Sequence, residues 1–327
     1  MIMRKGFCTM VLMAMVILGL LVGPVTAAEY PTKPINLIVV TPPGGSFDVI
    51  GRAFASVAEK SLGQPVVVLN KVGASGLVGT IAAVQSPPDG YNILLDASST
   101  GSLIAWEVAN NRKPPFVLDD LIPLGSFTFS SPLVIVSYNS PWKTLADMVK
   151  DCKAKPDSYA FCSSGMYGGT HLPAEVLMRA MGITARHVPS EGAQCYNSVM
   201  GGHIDFSTQW PSTCIPLVRG NKLRVLAVMG EKRLKSIPNV PTAKEQGVNA
   251  EWYQWTGISV PKKTPNAVIE RLKDVAKKVA VDKTFVGLIE NQGDEVRFKD
   301  SDELSKYRVG EAERLTQLVK QLLEQKK

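Results

Sequence analysis

An apolar strand that ends in a glycine-rich turn and continues directly as a helix limits the possible folds of this chain. Residues 35–40 form an apolar run, and the stretch PPGGS follows at 42–46. Apolar residues then recur at helical spacing from Val49 to Ala58, so the turn must be tight. It leaves free N–H groups at a helix N-terminus, where they can bind an anion.

The order of strand, small-residue loop and helix recurs along the chain. This rhythm predicts an α/β fold with largely parallel sheets, in which the loops at the carboxyl ends of the strands face one crevice. A second series begins at residues 133–136, which indicates two lobes with a cleft between them. The loops concerned are Gly44–Ser46, Gly73–Gly76, Ser98–Gly101, Ser163–Gly165, Gly168–Thr170 and Ser190–Gly192.

The first 28 residues have the order of charge, apolar core and small-residue exit that is typical of a secretory signal peptide. The basic pair Arg4-Lys5 precedes an apolar segment from 7 to 22, and cleavage is expected near Ala27-Ala28. The apolar run is short for a membrane span of about 20 residues. We therefore expect an exported protein.

Four cysteines follow the predicted leader, at positions 152, 162, 195 and 214. Disulfides are allowed in an oxidising compartment, and pairing within this region or free buried thiols are both open. No pair has the spacing of zinc ligands, and no metal or cofactor is expected. Nucleic-acid binding is not supported either, because the lysines that give the net charge of +7 are scattered.

The remainder of the chain from Trp252 is predicted to be mostly helical. Thr264-Pro265 begins one helix, and Ser301–Glu303 caps the last. The last helix is amphipathic, and we expect it to pack back on a lobe rather than form a coiled coil.

The sequence matches none of the common enzyme motifs. The glycines at 73, 76 and 79 match neither the dinucleotide fingerprint nor the phosphate loop, and no G-x-S-x-G elbow surrounds a candidate serine. The three histidines form no close pair, and only His171, at a predicted helix start, could reach a ligand. No pair of carboxylates for acid and base catalysis can be argued.

A binding function fits the loops better. Gly-Gly-Ser turns supply backbone donors, a rotatable hydroxyl and the positive end of a helix dipole to a carboxylate. Asp48 would repel an anion, and its favoured role is to complement the helix N-terminus. Core packing is the default for four aromatic residues that could line the cleft: Phe47, Trp106, Tyr167 and Trp210.

Several motifs together resemble the Bug-type solute-binding proteins of tripartite tricarboxylate transporters. They are YPTKPINLIVVTPPGGSFDVIGR, LGQPVVVLNKVGASGLVGT, SPPDGYNILL, THLPAEVL, GGHIDF and GISVPKKTPNAVIERL, and they cover nearly the whole mature chain. The resemblance implies a periplasmic location and a type II periplasmic binding protein, with two α/β lobes that are joined by two crossing strands and close on a ligand as a hinge. The predicted division is 29–130 plus 254–327 for the first lobe and 131–253 for the second.

The resemblance also implies a receptor that captures a small organic carboxylate and delivers it to a large and a small integral membrane subunit, with a monomer as the expected state. Ligand contacts are then expected from Gly44, Gly45, Ser46, Phe47, Asp48, Ala74, Ser75, Gly76 and Leu77 in the first lobe, with Ser99 in the next loop. In the second lobe they are expected from Ser163, Ser164, Thr170, His171, Ser190, Gly192 and Gln209.

The chain departs from the pattern of these relatives at the expected contacts. Phe47 replaces the usual threonine, Ser75 and Leu77 replace glycine and asparagine, and Gln209-Trp210 stands where many relatives have aspartate or asparagine. Phe47 and Trp210 would suit a partly apolar or aromatic carboxylate.

Two alternative functions stay open. One is a ligand sensor that docks on a membrane kinase, and the other is a secreted hydrolase that uses Ser46 or Ser164.

Overall fold

The computed structural model describes residues 30–166, 168–190 and 193–324. The predicted signal peptide and the loop residues Tyr167, Glu191 and Gly192 lie outside the described residues. The strands are β1 (Ile35–Val39), β2 (Val66–Asn70), β3 (Asn92–Ala97), β4 (Leu121–Ser130), β5 (Leu133–Ser137), β6 (Ala160–Ser163), β7 (Arg186–Pro189), β8 (Phe206–Gln209), β9 (Leu223–Val228), β10 (Gln254–Pro261) and β11 (Val296–Asp300).

The helices alternate with these strands over much of the chain. They are α1 (Ser46–Leu62), α2 (Leu77–Val84), α3 (Ser98–Ala109), α4 (Leu145–Ala154), α5 (His171–Met181), α6 (Ala193–Met200), α7 (Pro211–Arg219), α8 (Asn266–Val281), α9 (Lys283–Asn291) and α10 (Ser301–Glu324). Short 3-10 turns occupy Ala74–Gly76, Leu118–Asp120 and Lys244–Gln246.

Two mixed sheets organise the molecule. The first has the strand order β11-β4-β10-β3-β1-β2, and the second has the order β7-β6-β8-β5-β9. We call each sheet with its helices a lobe. β1 pairs in parallel with β2 and β3, and β6 pairs in parallel with β7 and β8. The expectation of largely parallel sheets was wrong, because β10 runs antiparallel to β3 and β4, and β5 runs antiparallel to β8 and β9.

The antiparallel strands arise where the chain crosses between the lobes. β4 ends at Ser130 and the chain enters the second sheet at Leu133, while β10 returns it at Gln254, directly opposite Ser130. Directly after β9, the Met229 N–H donates to the Pro132 carbonyl at 2.9 Å and holds the first crossing against the second lobe. The residue pattern did not predict β4, β10 or β11 as strands, although the resemblance implies two strands that cross between the lobes. The exact lobe boundaries stay a prediction.

Apolar patterning explains the packing of both lobes. In the first lobe, Phe54 of α1 contacts Phe127 of β4 with ring centroids 5.1 Å apart, and Phe127 also meets Phe285 of α9 at 5.4 Å. In β5, side chains alternate between two cores, with Leu133 and Ile135 in one and Val134 and Val136 in the other. Both faces of the second sheet are therefore covered.

The last helix packs against both sheets. α10 contacts α3 and β4 of the first lobe. Its residues Leu315, Val319 and Leu322 also join the second-lobe core with Trp252. The expectation that this helix packs back on the protein is therefore fulfilled, although it contacts two lobes instead of one.

One disulfide and two free thiols resolve the open question about the cysteines. Cys162 of β6 is bonded to Cys195 of α6, while Cys152 and Cys214 are free and buried. Burial raises the pKa of the Cys214 thiol to about 12. Burial, and secondarily Asp205 and Asp151, raises the pKa of Cys152 to about 11. Both thiols are therefore protonated at neutral pH.

Candidate functional site

A cavity of about 70 Å³ lies between the two lobes, at the carboxyl ends of the strands that precede its loops. It is lined from the first lobe by Val40, Thr41, Pro42, Gly45, Ser46, Phe47, Ser75, Gly76, Ser99 and Gln254, and from the second by Ser164, Gly169, Thr170, Ser190, Tyr196, Gln209, Trp210 and Thr213. None of these lining residues carries a charged side chain.

The first-lobe wall is built on the N-terminus of α1. Gly44 has a φ of +78°, a left-handed conformation that favours glycine. Gly45 is the N-cap, and no side chain caps this helix end. The N–H groups of Ser46 and Phe47 therefore have no acceptor inside the helix. They are placed to donate to an anion in the cavity.

A buried network holds this loop in shape. Asp48 Oδ2 accepts from the Gly44 N–H and from Arg52 Nε, each at 2.9 Å, and its Oδ1 accepts from Asn70 Nδ2 at 2.9 Å. Asn70 also donates to the Thr41 carbonyl at 2.8 Å. Asp48 thus fixes the turn from behind and does not line the cavity.

The charge of Asp48 is compensated by the same contacts. Burial would raise the pKa of this carboxyl, but hydrogen bonds from Arg52, Asn70 and the Gly44 N–H outweigh burial and lower its pKa. Asp48 is therefore ionised at neutral pH and paired with Arg52. The pair leaves the positive end of the α1 dipole available to a ligand.

Thr41 contributes a polar atom that the sequence did not single out. It follows β1 directly, lines the cavity, and its buried hydroxyl has no hydrogen-bond partner among the described residues. A buried hydroxyl without a partner is unfavourable unless a ligand or water completes it. Thr41 is therefore a strong candidate for direct ligand contact.

The N-terminus of α3 approaches the cavity beside α1. Ser99 lines the cavity, and the preceding Ser98 donates its hydroxyl to Glu311 of α10 at 2.8 Å. Glu311 also accepts from Trp255 Nε1 at 2.7 Å. Burial raises the pKa of Glu311, although hydrogen bonds from Trp255 and Ser98 oppose the rise. These contacts join the α3 terminus to β10 and α10.

The second-lobe wall is largely hydrogen-bonded to itself. Thr170 Oγ1 accepts from the Ser164 N–H at 2.9 Å and lies 3.1 Å from the Ser164 hydroxyl. The first N–H groups of α5, those of His171 and Leu172, donate to the Gly168 carbonyl. Thr213 donates its hydroxyl to the Trp210 carbonyl at 3.0 Å. These donors of the second-lobe wall are therefore engaged within the protein.

Four helices direct their N-termini toward the cavity. The lining includes Ser46 of α1 and Ser99 of α3, with the N-cap residues Thr170 of α5 and Trp210 of α7. Each terminus carries a partial positive charge from the aligned peptide dipoles. A neutral lining with four such termini favours a small anion over a cation or a neutral apolar ligand.

A buried aspartate faces one of these termini. Asp294 is 3% exposed and accepts the hydroxyl of Ser130 at 2.5 Å. Burial raises its pKa to about 6, although Ser130 and Ser212 of α7 oppose the rise. No salt bridge to Asp294 occurs among the residues that the structure describes.

Most predicted site residues meet at the cavity. The lining includes Gly45, Ser46, Phe47, Ser75, Gly76, Ser99, Ser164, Thr170, Ser190 and Gln209, with the aromatic candidate Trp210. Ala74 faces an adjoining crevice of about 400 Å³. Gly192 lies outside the described residues.

Six predicted residues do not line this cavity: Ala74 of the adjoining crevice, Gly44, Asp48, Leu77, Ser163 and His171. Gly44 lies at the rim, where its carbonyl accepts from the Tyr196 hydroxyl at 3.3 Å. Asp48 supports the loop, and Leu77 begins α2 just beyond it. Ser163 and His171 are fully buried. Ser163 Oγ lies 2.7 Å from His187 Nε2, but this pair is closed off from the cavity.

Sequence reasoning missed six lining residues: Val40, Thr41, Pro42, Tyr196, Thr213 and Gln254. Three of them could have been found from position alone, because Val40 and Thr41 follow a strand and Thr213 lies in the first turn of a helix. Gln254 could not, because β10 was not predicted as a strand.

Metal binding and membrane spanning find no support in the described part of the chain. No group of three or more His, Cys, Asp or Glu side chains there could hold a metal ion. No helix there is long and apolar enough to cross a membrane.

Comparisons with known proteins agree with this architecture. The model for the family described as tripartite tricarboxylate transporter family receptor matches residues 50–323. The chain is 33% identical over 278 residues to the protein BugT of Bordetella pertussis, and the match covers 83% of each chain.

Solved structures share the fold over nearly their full length. A periplasmic transporter is 30% identical with a TM-score of 0.84, covering 89% of this chain and 97% of that one. The periplasmic binding protein BugD is 26% identical with a TM-score of 0.82, covering 89% and 98%. The predicted two-lobe periplasmic binding protein fold is confirmed.

Proposed function

This chain belongs to the tripartite tricarboxylate transporter family of receptors, and on that premise we propose that its first-lobe loops bind one carboxylate group of a small organic acid. The family and its solved structures make the protein a periplasmic substrate-binding receptor rather than an enzyme. The proposal adds the carboxylate position and the residues that hold it.

One observation carries the proposal: the N-terminus of α1 is uncapped and faces a neutral, hydroxyl-lined cavity. A carboxylate there would accept from the Ser46 and Phe47 N–H groups and from the hydroxyls of Ser46, Thr41 and Ser99. Charge-assisted hydrogen bonds of this kind are the stronger class in proteins. No cationic side chain is required, because helix dipoles supply the positive potential.

Delivery to transporter subunits extends the proposal beyond the binding step. We propose that residues 1–28 are removed on export, that the mature protein acts as a monomer, and that closure of the two lobes around the ligand creates the surface that a large and a small membrane subunit recognise. The lobe boundaries at residues 130 and 253 are the hinge positions in this proposal.

The first test is thermal unfolding of the mature protein, refolded free of ligand, against di- and tricarboxylates, aromatic acids, amino acids and matched amides. A ligand at about 100 times its Kd adds about 2.7 kcal/mol to stability. That increment shifts the melting temperature by several degrees. A shift with a carboxylate but not with its amide supports the proposal, and no shift across the panel contradicts it.

Ser46→Ala locates the carboxylate on α1. Loss of a donor to a charged group costs about 1–3 kcal/mol, so we expect the Kd to rise about 5- to 150-fold. Ser56→Ala is the matched control, because Ser56 lies on the same helix and donates to the Ala53 carbonyl. Equal affinity of the two variants would remove Ser46 from the site.

A further inference from the structure

The second-lobe wall of the cavity has a polarity that restricts the ligand. We call it the far wall, and the first-lobe wall with the carboxylate site the near wall. Resting on the carboxylate site proposed above, we propose that the second lobe recognises a hydrogen-bond donor, so that the ligand is a monocarboxylate with a hydroxyl at its opposite end. A second carboxylate at that end is disfavoured. The residue that decides this is Gln209, whose side-chain amide lies in the far wall and is 7% exposed.

The orientation of the Gln209 amide follows from its neighbours. Ser207 Oγ donates its only hydrogen to the Cys162 carbonyl at 2.7 Å. It can therefore only accept from Gln209, whose Nε2 lies 3.0 Å away. The nitrogen of the amide must face Ser207, so the oxygen Oε1 is the atom left for a ligand.

The disulfide strengthens this orientation. Gln209 Nε2 also lies 3.2 Å from Cys195 Sγ, which is bonded to Cys162. A disulfide sulfur carries no hydrogen, so it can accept from the amide nitrogen but cannot donate to the amide oxygen. A flipped Gln209 would place its oxygen against two acceptors. The cavity therefore meets a carbonyl oxygen that is fixed in place.

Three hydroxyls of the far wall already donate within the protein. The Thr213 hydroxyl donates to the Trp210 carbonyl, and the Tyr196 hydroxyl donates to the Gly44 carbonyl. Ser164 and Thr170 share one hydrogen bond and leave one hydroxyl hydrogen between them. The Gln209 oxygen accepts hydrogen bonds and would repel a second carboxylate.

The charge near this wall has the same sign as a carboxylate. Asp294 contacts Ser212 at the N-terminus of α7. Ser212 lies between the lining residues Trp210 and Thr213 in sequence. Its carboxyl has no cationic partner among the described residues, whereas Asp48 of the near wall is paired with Arg52. The two ends of the cavity therefore differ in electrostatics, because the aspartate behind the near wall is paired with a cation and the one behind the far wall is not.

The middle of the cavity is apolar on both sides. Phe47 and Trp210 line it and are almost fully buried. The ligand body between the two polar ends is therefore aliphatic or aromatic. Suitable probes are 6-hydroxyhexanoate and 4-hydroxybenzoate, each compared with the acid that lacks the hydroxyl and with the corresponding diacid.

The test is isothermal titration calorimetry of the ligand-free protein with hexanoate, 6-hydroxyhexanoate and adipate, and with benzoate, 4-hydroxybenzoate and terephthalate. We expect the hydroxy acid of at least one series to bind tenfold or more tightly than both its partners. Tighter binding of the diacids would overturn this inference and leave the carboxylate site intact. Binding of none of the six acids would count against the proposed function as well.

Ser207→Ala tests the role of the fixed amide. Without the Ser207 hydroxyl, Gln209 can turn its nitrogen toward the cavity, so we expect the preference for hydroxy acid over diacid to fall at least fivefold. Ser137→Ala is the matched control, because the Ser137 hydroxyl likewise donates to a carbonyl, that of Met200, at 3.2 Å, and Ser137 does not line the cavity.

Gln209→Leu keeps the inference testable if Ser207→Ala does not fold. Removal of the acceptor should abolish the advantage of the hydroxy acid over the unsubstituted acid, while the unsubstituted acid still binds. An unchanged ratio in both variants would show that Gln209 does not select the ligand.

Discussion

Asp48 and Asp294 have the same side chain at the N-terminus of a helix, but their surroundings reverse the direction of the pKa shift. Burial acts first on both and raises the pKa. Hydrogen bonds from Arg52 and Asn70 overcome it at Asp48, whereas Ser130 and Ser212 do not overcome it at Asp294. Asp48 therefore stabilises the binding loop as an anion, whereas burial destabilises the charged form of Asp294.

Asp294→Asn should change how stability depends on pH. The pKa of Asp294 is raised from 3.8 to about 6. A raised pKa contributes stability that is fully present below the unfolded value near 4 and is lost as the pH rises through 6. The loss corresponds to about 3 kcal/mol. Asparagine has no charge to bury, so the variant should gain up to that amount over the wild type at pH 8.

Urea unfolding at pH 4.5, 6 and 8 measures this difference. We expect the advantage of Asp294→Asn to grow with pH and to be smallest at pH 4.5. The same difference between the two proteins at pH 4.5 and pH 8 would show that ionisation of Asp294 is not the cause.

At the scale of the elements, α10 links parts of the molecule that are distant in sequence. Glu311 receives hydrogen bonds from Ser98 of α3 and Trp255 of β10. Arg308, one turn earlier, lies 3.7 Å from the buried Asp96 of β3. The helix thereby supports the α3 terminus at the cavity and the strand on which the chain returns from the second lobe.

Glu311→Ala should destabilise the fold because it leaves the Trp255 N–H and the Ser98 hydroxyl buried without an acceptor. Each such group costs about 1–3 kcal/mol, so we expect a loss of about 2–6 kcal/mol in the free energy of unfolding. Glu313→Ala, on the exposed face of the same helix, should change stability by less than about 0.5 kcal/mol. Chemical denaturation compares the two, and equal effects would contradict the role of Glu311.

For the molecule as a whole, the described conformation has the two lobes in contact across the cavity. Ser75 donates its hydroxyl to the Ser164 carbonyl at 3.1 Å, and Tyr196 reaches the Gly44 carbonyl. A Cβ on Gly165 would lie 2.4 Å from Ser75 Oγ. A methyl group at this position would therefore displace the Ser75 hydroxyl from its contact with the second lobe.

Gly165→Ala should weaken ligand binding tenfold or more by opposing this contact. Gly202→Ala is the control for backbone strain, since Gly202 also has a positive φ and nothing lies within 4 Å of its Cβ position. Calorimetry with the tightest acid of the panel separates the two effects. Equal loss of affinity in both variants would mean that strain, and not contact between the lobes, is responsible.

The sequence by itself determined the local elements around the cavity. The strand at 35–39, the turn at Gly44–Gly45 and the helix from Ser46 follow from apolar periodicity and from the backbone freedom of glycine, which act over a few residues. The small-residue loops at Ser75, Ser99, Ser164 and Thr170 were found in the same way. Their common location follows from the rule that strand ends meet at one edge of a sheet.

Only the tertiary structure decided what depends on partners far along the chain. The strands β4, β10 and β11 are defined by pairing with distant segments. The fold also decides which thiols come together, so that Cys162 bonds to Cys195 while Cys152 and Cys214 stay free. The orientation of Gln209 depends on the hydrogen of Ser207 and on a disulfide sulfur. Sequence periodicity records which residues are buried, but it does not record which donor meets which acceptor, and that pairing sets the polarity of the cavity.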